Sequence, residues 1–364
     1  MMKLNLIYFL LIFSLSNVSL CGQSEPFDVN YEQYIESSIR DRRFKHQDIK
    51  EIVTKLPEEI FKVEVAGNSI EGKEIYHIQA GTGQIKVLLW SQMHGNEPTA
   101  TMALSDIFNF LIHDHGPDRN QILQQLELHF IPMLNPDGAD AFKRRNALDI
   151  DINRDALRLI SPESKILKTI RDEIEPQWGF NLHDQNRYTS AGKTDQMASI
   201  SFLAPAFNEE KSWSAGRTDA MQLICHMNET LQKFIPGKVG RYSDEFEPRA
   251  FGDNIQKWGT NTILIETGAL VNDPEKQYLR KLNYVALLTA FKSIANKSYE
   301  KYELADYNQI PYNQHVLYDL IIRNATLEMY DQHFLFDIGI RQDEIQDKAA
   351  EDFYLKAAIG DLGD

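Results

Sequence analysis

The chain has 364 residues, 43% hydrophobic and 25% charged, enough to bury a large core in one main domain with room for a small appendage. Thirty-eight basic residues against 53 acidic ones leave a formal charge of -15. Such a surface repels polyphosphates and anionic head groups, so nucleic acid is excluded as an expected partner.

Residues 1–22, MMKLNLIYFLLIFSLSNVSLCG, place Lys3 before an apolar run and end in small residues, the pattern of a cleaved secretory signal peptide. Asn17 and its neighbouring serines, with no basic stop-transfer run after them, argue against stable membrane insertion. Leu20 is bulky where lipid attachment at Cys21 wants a small residue. An exported protein is expected, whether periplasmic, cell-surface or secreted. Cys225 is then the only cysteine, so stability must come from the core and a bound metal rather than from disulfides.

Between Phe61 and Met93, FKVEVAGNSIEGKEIYHIQAGTGQIKVLLWSQM alternates apolar and polar residues around Gly67-Asn68 and Gly81-Thr82-Gly83, as strands joined by turns do. Ile85 to Trp90 is nearly continuous apolar and predicts a fully buried strand. Pro98 suits a first helical turn, and Met102, Ala103, Leu104, Ile107, Phe108 and Leu111 recur at helical spacing. A strand therefore runs into a helix through SQMHGNE.

The pattern repeats. LELHFIPMLNPDG alternates apolar residues before an Asn-Pro-Asp-Gly turn, WGFNLHDQN is a short apolar run ending at His183, and NTILIETGA is another ending at Glu266. Asp273 and Pro274 are expected to cap a helix running to about Ala295. The fold class expected is α/β, a mixed and mostly parallel central sheet flanked by helices, with ligands gathered at the carboxyl ends of its strands. A catalytic domain over 23–298 is expected, then the linker-like ELADYNQIPYNQ. Residues 305–364 are expected to form a small β-rich module, with extra edge strands of the main sheet as the competing reading.

His94 and Glu97 stand three residues apart at a strand-to-helix corner, where an imidazole and a carboxylate can bind one cation; the pair alone is a weak signal. His183, at another strand end, supplies a third ligand. Two histidines and a glutamate leave a tetrahedral zinc one open position, as catalytic sites do. In this acidic chain RRNALDIDINRDA concentrates Arg144, Arg145, Asn153 and Arg154, a set suited to a substrate carboxylate. Asp151 is a candidate to orient a metal-bound histidine, and Glu266 a candidate general base.

MHGNE, NPDG, RRNALDIDINRD, NLHD and LIETG occur in the order found in zinc metallocarboxypeptidases, and the chain from about residue 55 to 295 resembles that family. The resemblance implies one zinc ion held by His94, Glu97 and His183, Glu266 as general base, and Arg144 polarising the scissile carbonyl, with Arg145 as the substitute for that role. It implies Asn153 and Arg154 clamping the substrate's terminal carboxylate, and Asp151 behind the first zinc histidine.

Many members carry a tyrosine about two dozen residues before the base. Here RYSDEFEPRAFGDN offers Tyr242, while counting through a one-residue gap gives Glu245, so the role stays unassigned. Glu245, Glu247 and Asp253 suggest a pocket favouring a basic side chain.

A peptide substrate is expected, cleaved next to its free C-terminal carboxylate. The alternatives are a zinc-dependent deacylase acting on small N-acyl amino acids, which shares the His-Gly-Asn-Glu motif and a β-rich tail, and a peptidase trimming cell-wall peptides. An inactive peptide-binding relative is disfavoured by the presence of all three ligands and Glu266.

Overall fold

The computed structural model describes residues 26–363; the segment with the signal-peptide pattern lies outside them. Helix α1 (His46–Val53) leads into an antiparallel hairpin of β1 (Phe61–Asn68) and β2 (Glu74–Ala80). The buried run Ile85–Trp90 is β3, followed by α2 (Thr99–His113), α3 (Pro117–Gln125) and β4 (Leu126–Ile131). Asn-Pro-Asp-Gly does not form a simple turn but opens a one-turn helix α4 (Pro136–Asp140). Asn135 caps it by accepting from the Gly138 amide, and Pro136 fits the first helical position.

Next come α5 (Pro162–Ile174), β5 (Trp178–Asp184), β6 (Ser190–Ala191), β7 (Ile200–Leu203), α6 (Ala215–Leu231), β8 (Val239–Arg241), α7 (Phe251–Lys257), β9 (Asn261–Thr267) and α8 (Gln277–Asn296). The expected cap of α8 is displaced. Lys276 precedes the helix in a left-handed conformation, and Asp273 reaches forward to accept from the amides of Tyr278 and Leu279.

The main sheet has eight strands in the order β1-β2-β4-β3-β5-β9-β7-β8. Its centre, β4-β3-β5-β9, is parallel, while β2 pairs antiparallel with β4 and β7 antiparallel with β9. Parallel strands need cover on both faces, and the sequence supplies it. Val87, Leu89, Phe180, Leu182, Ile263 and Ile265 face a core built with α2, α6 and α8. Leu88 and Trp90 face a second core with Leu167 and Ile170 of α5 and Phe251 and Ile255 of α7.

Buried Arg280 of α8 donates to Asp106 of α2 at 2.7 Å and to the Ile39 carbonyl at 2.8 Å, while the Tyr31 hydroxyl donates to the same carboxylate at 2.9 Å. This pair ties the N-terminal segment to both helices.

The linker-like stretch after α8 contains a short helix α9 (Leu304–Gln309), capped by Glu303 and Asp306 and anchored by buried Tyr307, and then β10 (Asn313–Gln314), which pairs with β6. The last strands, β11 (Leu320–Met329), β12 (Gln332–Gln346) and β13 (Phe353–Gly363), pair antiparallel with one another in a sheet of their own. Arg42 and Arg43 hold this sheet to the body through Glu344 and the Phe353 ring, as does the Tyr188 hydroxyl, which accepts from the Gln342 amide at 2.7 Å. Among the described residues no helix is long and apolar enough to cross a membrane. Cys225 is buried and unpaired, its thiol pushed up to about 12 by that burial.

Candidate metal centre and catalytic site

The carboxyl ends of β3, β5 and β9 bring the chemistry together. After β3 the chain turns sharply: Gln92 takes a positive φ of 45° and Gly95 packs on the backbone of α4. A Cβ on Gly95 would stand 1.9 Å from the Gly138 carbonyl carbon, so only glycine lets the loop lie flat there. The Glu97 amide closes the loop onto the His94 carbonyl at 3.1 Å, which puts both side chains on one side. On β5, His183 alternates with Leu182 and so points away from the α2 and α8 core, toward the same place.

His94, Glu97 and His183 are all buried, and their donor atoms converge. His94 Nδ1 is 2.8 Å from Glu97 Oε1, His183 Nδ1 is 2.7 Å from Glu97 Oε2, and the two Nδ1 atoms are 3.1 Å apart. Ligands about 2.1 Å from zinc stand roughly 3.4 Å apart at the corners of a tetrahedron, close to this spacing. Tautomers point the same way. His94 Nε2 lies 3.1 Å from Asp151 Oδ1, which as a carboxylate can only accept, so the His94 proton belongs on Nε2 and its Nδ1 presents a lone pair. Lone pairs from His94, Glu97 and His183 facing one point fit a cation. These residues fit zinc in particular: two imidazoles and one carboxylate leave a coordination position for a substrate.

Asp151 is engaged on every side, by His94, by the Asn153 amide at 3.0 Å and by Arg144 Nε at 3.2 Å. Burial alone would raise its pKa, but the His94 hydrogen bond and the Arg144 charge hold it well below the usual carboxylate range. Glu97 behaves alike: burial opposes its charge, and the two histidines overcome that to keep it ionised.

Arg144 Nη1 donates to His94 Nδ1 at 3.1 Å and to Glu97 Oε1 at 3.2 Å, which sets its guanidinium at the edge of the ligand cluster. Arg145 turns away, exposed and bonded to the Asp149 carbonyl at 2.8 Å, so the cluster includes the first arginine of the pair and not the second. Asn153 Oδ1 accepts from the Phe251 amide at 3.0 Å, and Arg154 donates to the Asn153 carbonyl at 2.9 Å and pairs with Glu247 at 3.4 Å. Glu247 is also paired with Arg249, and Glu245 is exposed. Buried Asp253 accepts from the Glu247 amide and is pushed up to about 6 by its burial.

Glu266 is the register partner of His183 on the adjacent parallel strand. Burial, reinforced by the negative charges of Glu97 and Asp184, raises its pKa well above the ordinary carboxylate value.

Two parts of the site carry no clear sequence signal. Asp184, next to His183, accepts from Thr99 at 2.7 Å and from Lys276 at 3.0 Å, pairing α2 and the start of α8 with the end of β5. Tyr242, just past β8, lies close enough to Glu266 and Glu97 that their charges, after burial, drive its phenol pKa upward. The tyrosine in RYSDEF was the available signal, and the role stayed unassigned because the count through a one-residue gap gives Glu245, which is exposed.

Residues 46–196 match the profile described as zinc carboxypeptidase. Carboxypeptidase SOL1 of Arabidopsis thaliana is 30% identical over 148 residues, which is 36% of this chain and 30% of that protein. Carboxypeptidase 2 of Trichophyton rubrum is 26% identical over 104 residues, 28% of this chain and 19% of that one. The matched stretch thus spans less than a third of these curated relatives. The fold extends the likeness. A metallo-carboxypeptidase from Burkholderia cenocepacia superposes with a TM-score of 0.56 over 70% of each chain at 16% identity. Carboxypeptidase A from Helicoverpa armigera does so with a TM-score of 0.56 over 74% of this chain and 80% of its own at 14% identity. The HGNE corner, the RRN segment and the β5 histidine all fall inside the matched stretch, so these parts of the candidate site lie where the chain is similar to zinc carboxypeptidases.

Proposed function

We propose that the protein is a zinc-dependent exopeptidase that hydrolyses the peptide bond next to a free C-terminal carboxylate. The observation that carries this reading is the convergence of His94 and His183 Nδ1 and the Glu97 carboxylate within 3.1 Å of one another, with Arg144 against the cluster and Glu266 as register partner of His183. Bound there, zinc is a Lewis acid that polarises a carbonyl and makes water a stronger acid at neutral pH.

Each side chain then has a task. Glu266, with its pKa raised by burial and by Glu97 and Asp184, accepts a proton from the attacking water and returns it to the leaving amine. Arg144 directs guanidinium N–H groups at the carbonyl oxygen as charge grows on it. Asn153 and Arg154 hold the substrate's carboxylate, which selects the last peptide bond over internal ones. Asp151 fixes the ring of His94 through Nε2.

We place the reaction outside the cytosol, a reading supported by the signal-peptide pattern of residues 1–22. A panel of C-terminally varied peptides set against N-acyl amino acids tests the proposal. Release of single C-terminal residues from peptides is expected; turnover confined to N-acyl amino acids makes the protein a deacylase instead.

A further inference from the structure

Asp184 stands one residue after His183, and strand alternation turns its side chain to the opposite face of the sheet, toward α2 and α8. Along β5 that face is apolar, built by Phe180 and Leu182. A carboxylate there is costly unless it is paired. Both helices supply partners. Thr99, the first residue of α2, donates its hydroxyl to Asp184 Oδ2 at 2.7 Å. Lys276, just before α8, brings Nζ to 3.0 Å from the same oxygen and to 3.4 Å from the carbonyl of Thr267, the neighbour of Glu266. It does so from a left-handed backbone, with φ at 54°, and only 13% of its side chain is exposed.

The backbone of Asp184 faces the ligands themselves. Its amide donates to Glu97 Oε2 at 3.3 Å, the oxygen that stands 2.7 Å from His183 Nδ1. Two hydrogen bonds therefore join the same two short segments in opposite senses, from the Asp184 amide to Glu97 and from the Thr99 hydroxyl back to Asp184. One segment carries His94 and Glu97, and the other carries His183.

We propose that Asp184 is a positioning residue of the metal centre. With Thr99 and Lys276 it clamps the strand end bearing His183 to the corner bearing His94 and Glu97. Its amide holds the Glu97 carboxylate by Oε2, which leaves Oε1 facing His94 Nδ1 at 2.8 Å. A buried ion pair stabilises a fold no better than apolar side chains of similar volume, and a left-handed lysine is strained. Placed directly behind the ligands, these costs serve position rather than stability. The inference rests on the reading of His94, Glu97 and His183 as a zinc site and not on the choice of substrate.

The test measures zinc affinity of the full chain by competition with a chromogenic chelator in Thr99→Val, Asp184→Ala and the double variant. Each single variant is expected to raise the zinc dissociation constant about tenfold, and the double variant no further, because the clamp acts as a unit. Thr99→Ser keeps the hydroxyl and is expected to bind zinc as wild type does. Wild-type affinity in either Thr99→Val or Asp184→Ala, losses that multiply in the double variant, or a Thr99→Ser protein as weak as Thr99→Val overturn the proposal. Thr99→Val removes a single hydroxyl at nearly constant shape, so it remains readable if Asp184→Ala fails to fold. Cobalt(II) bound in place of zinc reports on ligand arrangement: its visible absorption is expected to differ between Thr99→Val and wild type, and identical spectra overturn the proposal. A wild-type chain that binds zinc and cleaves no peptide defeats the exopeptidase reading alone, with the affinities still deciding the clamp. A wild-type chain that binds no zinc overturns both.

Discussion

His183 and Glu266 sit side by side in register on β5 and β9, two parallel strands whose side chains at this level point to the same face of the sheet. That pairing fixes the distance between the last metal-ligand candidate and the carboxylate proposed as base by backbone hydrogen bonding, not by loop conformation. A base on so rigid a support moves its proton without a conformational search.

Replacing Glu266 with Gln keeps its size and removes the proton acceptor. Zinc content is expected to stay at one ion per chain by elemental analysis, while kcat falls roughly 100- to 10,000-fold. Near-normal turnover by the variant would remove Glu266 from the mechanism.

For Arg144 the expected signature is different. Arg144→Ala should lower kcat roughly 100-fold with a smaller change in KM, because its guanidinium is proposed to act on charge that develops in the transition state. A pure KM effect would show that it serves ground-state binding only.

Asp151 reaches the metal site only through His94. Asp151→Ala is expected to weaken zinc binding roughly 10- to 100-fold, measured by competition with a chromogenic chelator, with the overall fold intact by circular dichroism. Unchanged affinity would reduce the contact between Asp151 and His94 Nε2 to packing.

Asp253 offers a pH test at a distance from the ligands. Burial raises its pKa to about 6 in the folded chain, from an ordinary value near 4. The folded state therefore binds the extra proton between those values, and stability drawn from the neutral acid is present below pH 4 and lost as pH rises through 6. The Asn variant keeps the acceptor for the Glu247 amide and has no charge to bury. Asp253→Asn is expected to be more stable than wild type at pH 7.5 by about 3 kcal/mol, with the advantage vanishing near pH 4 in denaturant titrations. A difference that does not change with pH contradicts this.

The buried pair of Arg280 and Asp106 makes a separate statement about stability. Arg280→Met leaves the buried Asp106 carboxyl without its main cation, and a loss of about 3–5 kcal/mol is expected in chemical unfolding. A loss under about 1 kcal/mol would mean that the Tyr31 hydroxyl and the Glu36 amide satisfy the carboxylate unaided.

How far the sequence is legible follows from where the information lies. His94, Glu97, His183 and Glu266 each stand at the end of an apolar strand run, and a parallel sheet gathers such ends at one rim, so local pattern plus one topological rule suffices for them. Arg144 and Arg145 are adjacent in one loop, and only the turn fixed by Asn146, whose side-chain oxygen accepts from the Leu148 and Ile150 amides, decides which of them faces the ligands. Asp273 caps α8 from a loop rather than at the helix start, since the left-handed Lys276 delays the first turn. Asn313 and Tyr242 are the hardest case. They are distant in sequence, Asn313 on a two-residue strand and Tyr242 just past a three-residue one, and the chain there is joined by the pairing of β10 with β6 and by a bridge between Arg241 and Tyr312.

The account rests on zinc held by His94, Glu97 and His183 acting on a bond beside a free carboxylate. The most direct measurement titrates zinc into metal-free protein and follows hydrolysis of a peptide and of its C-terminal amide. Release of the last residue from the free acid, rising in proportion to bound zinc and saturating at one ion per chain, with the amide untouched, is the result predicted. Equal cleavage of acid and amide, or hydrolysis indifferent to zinc, would contradict it.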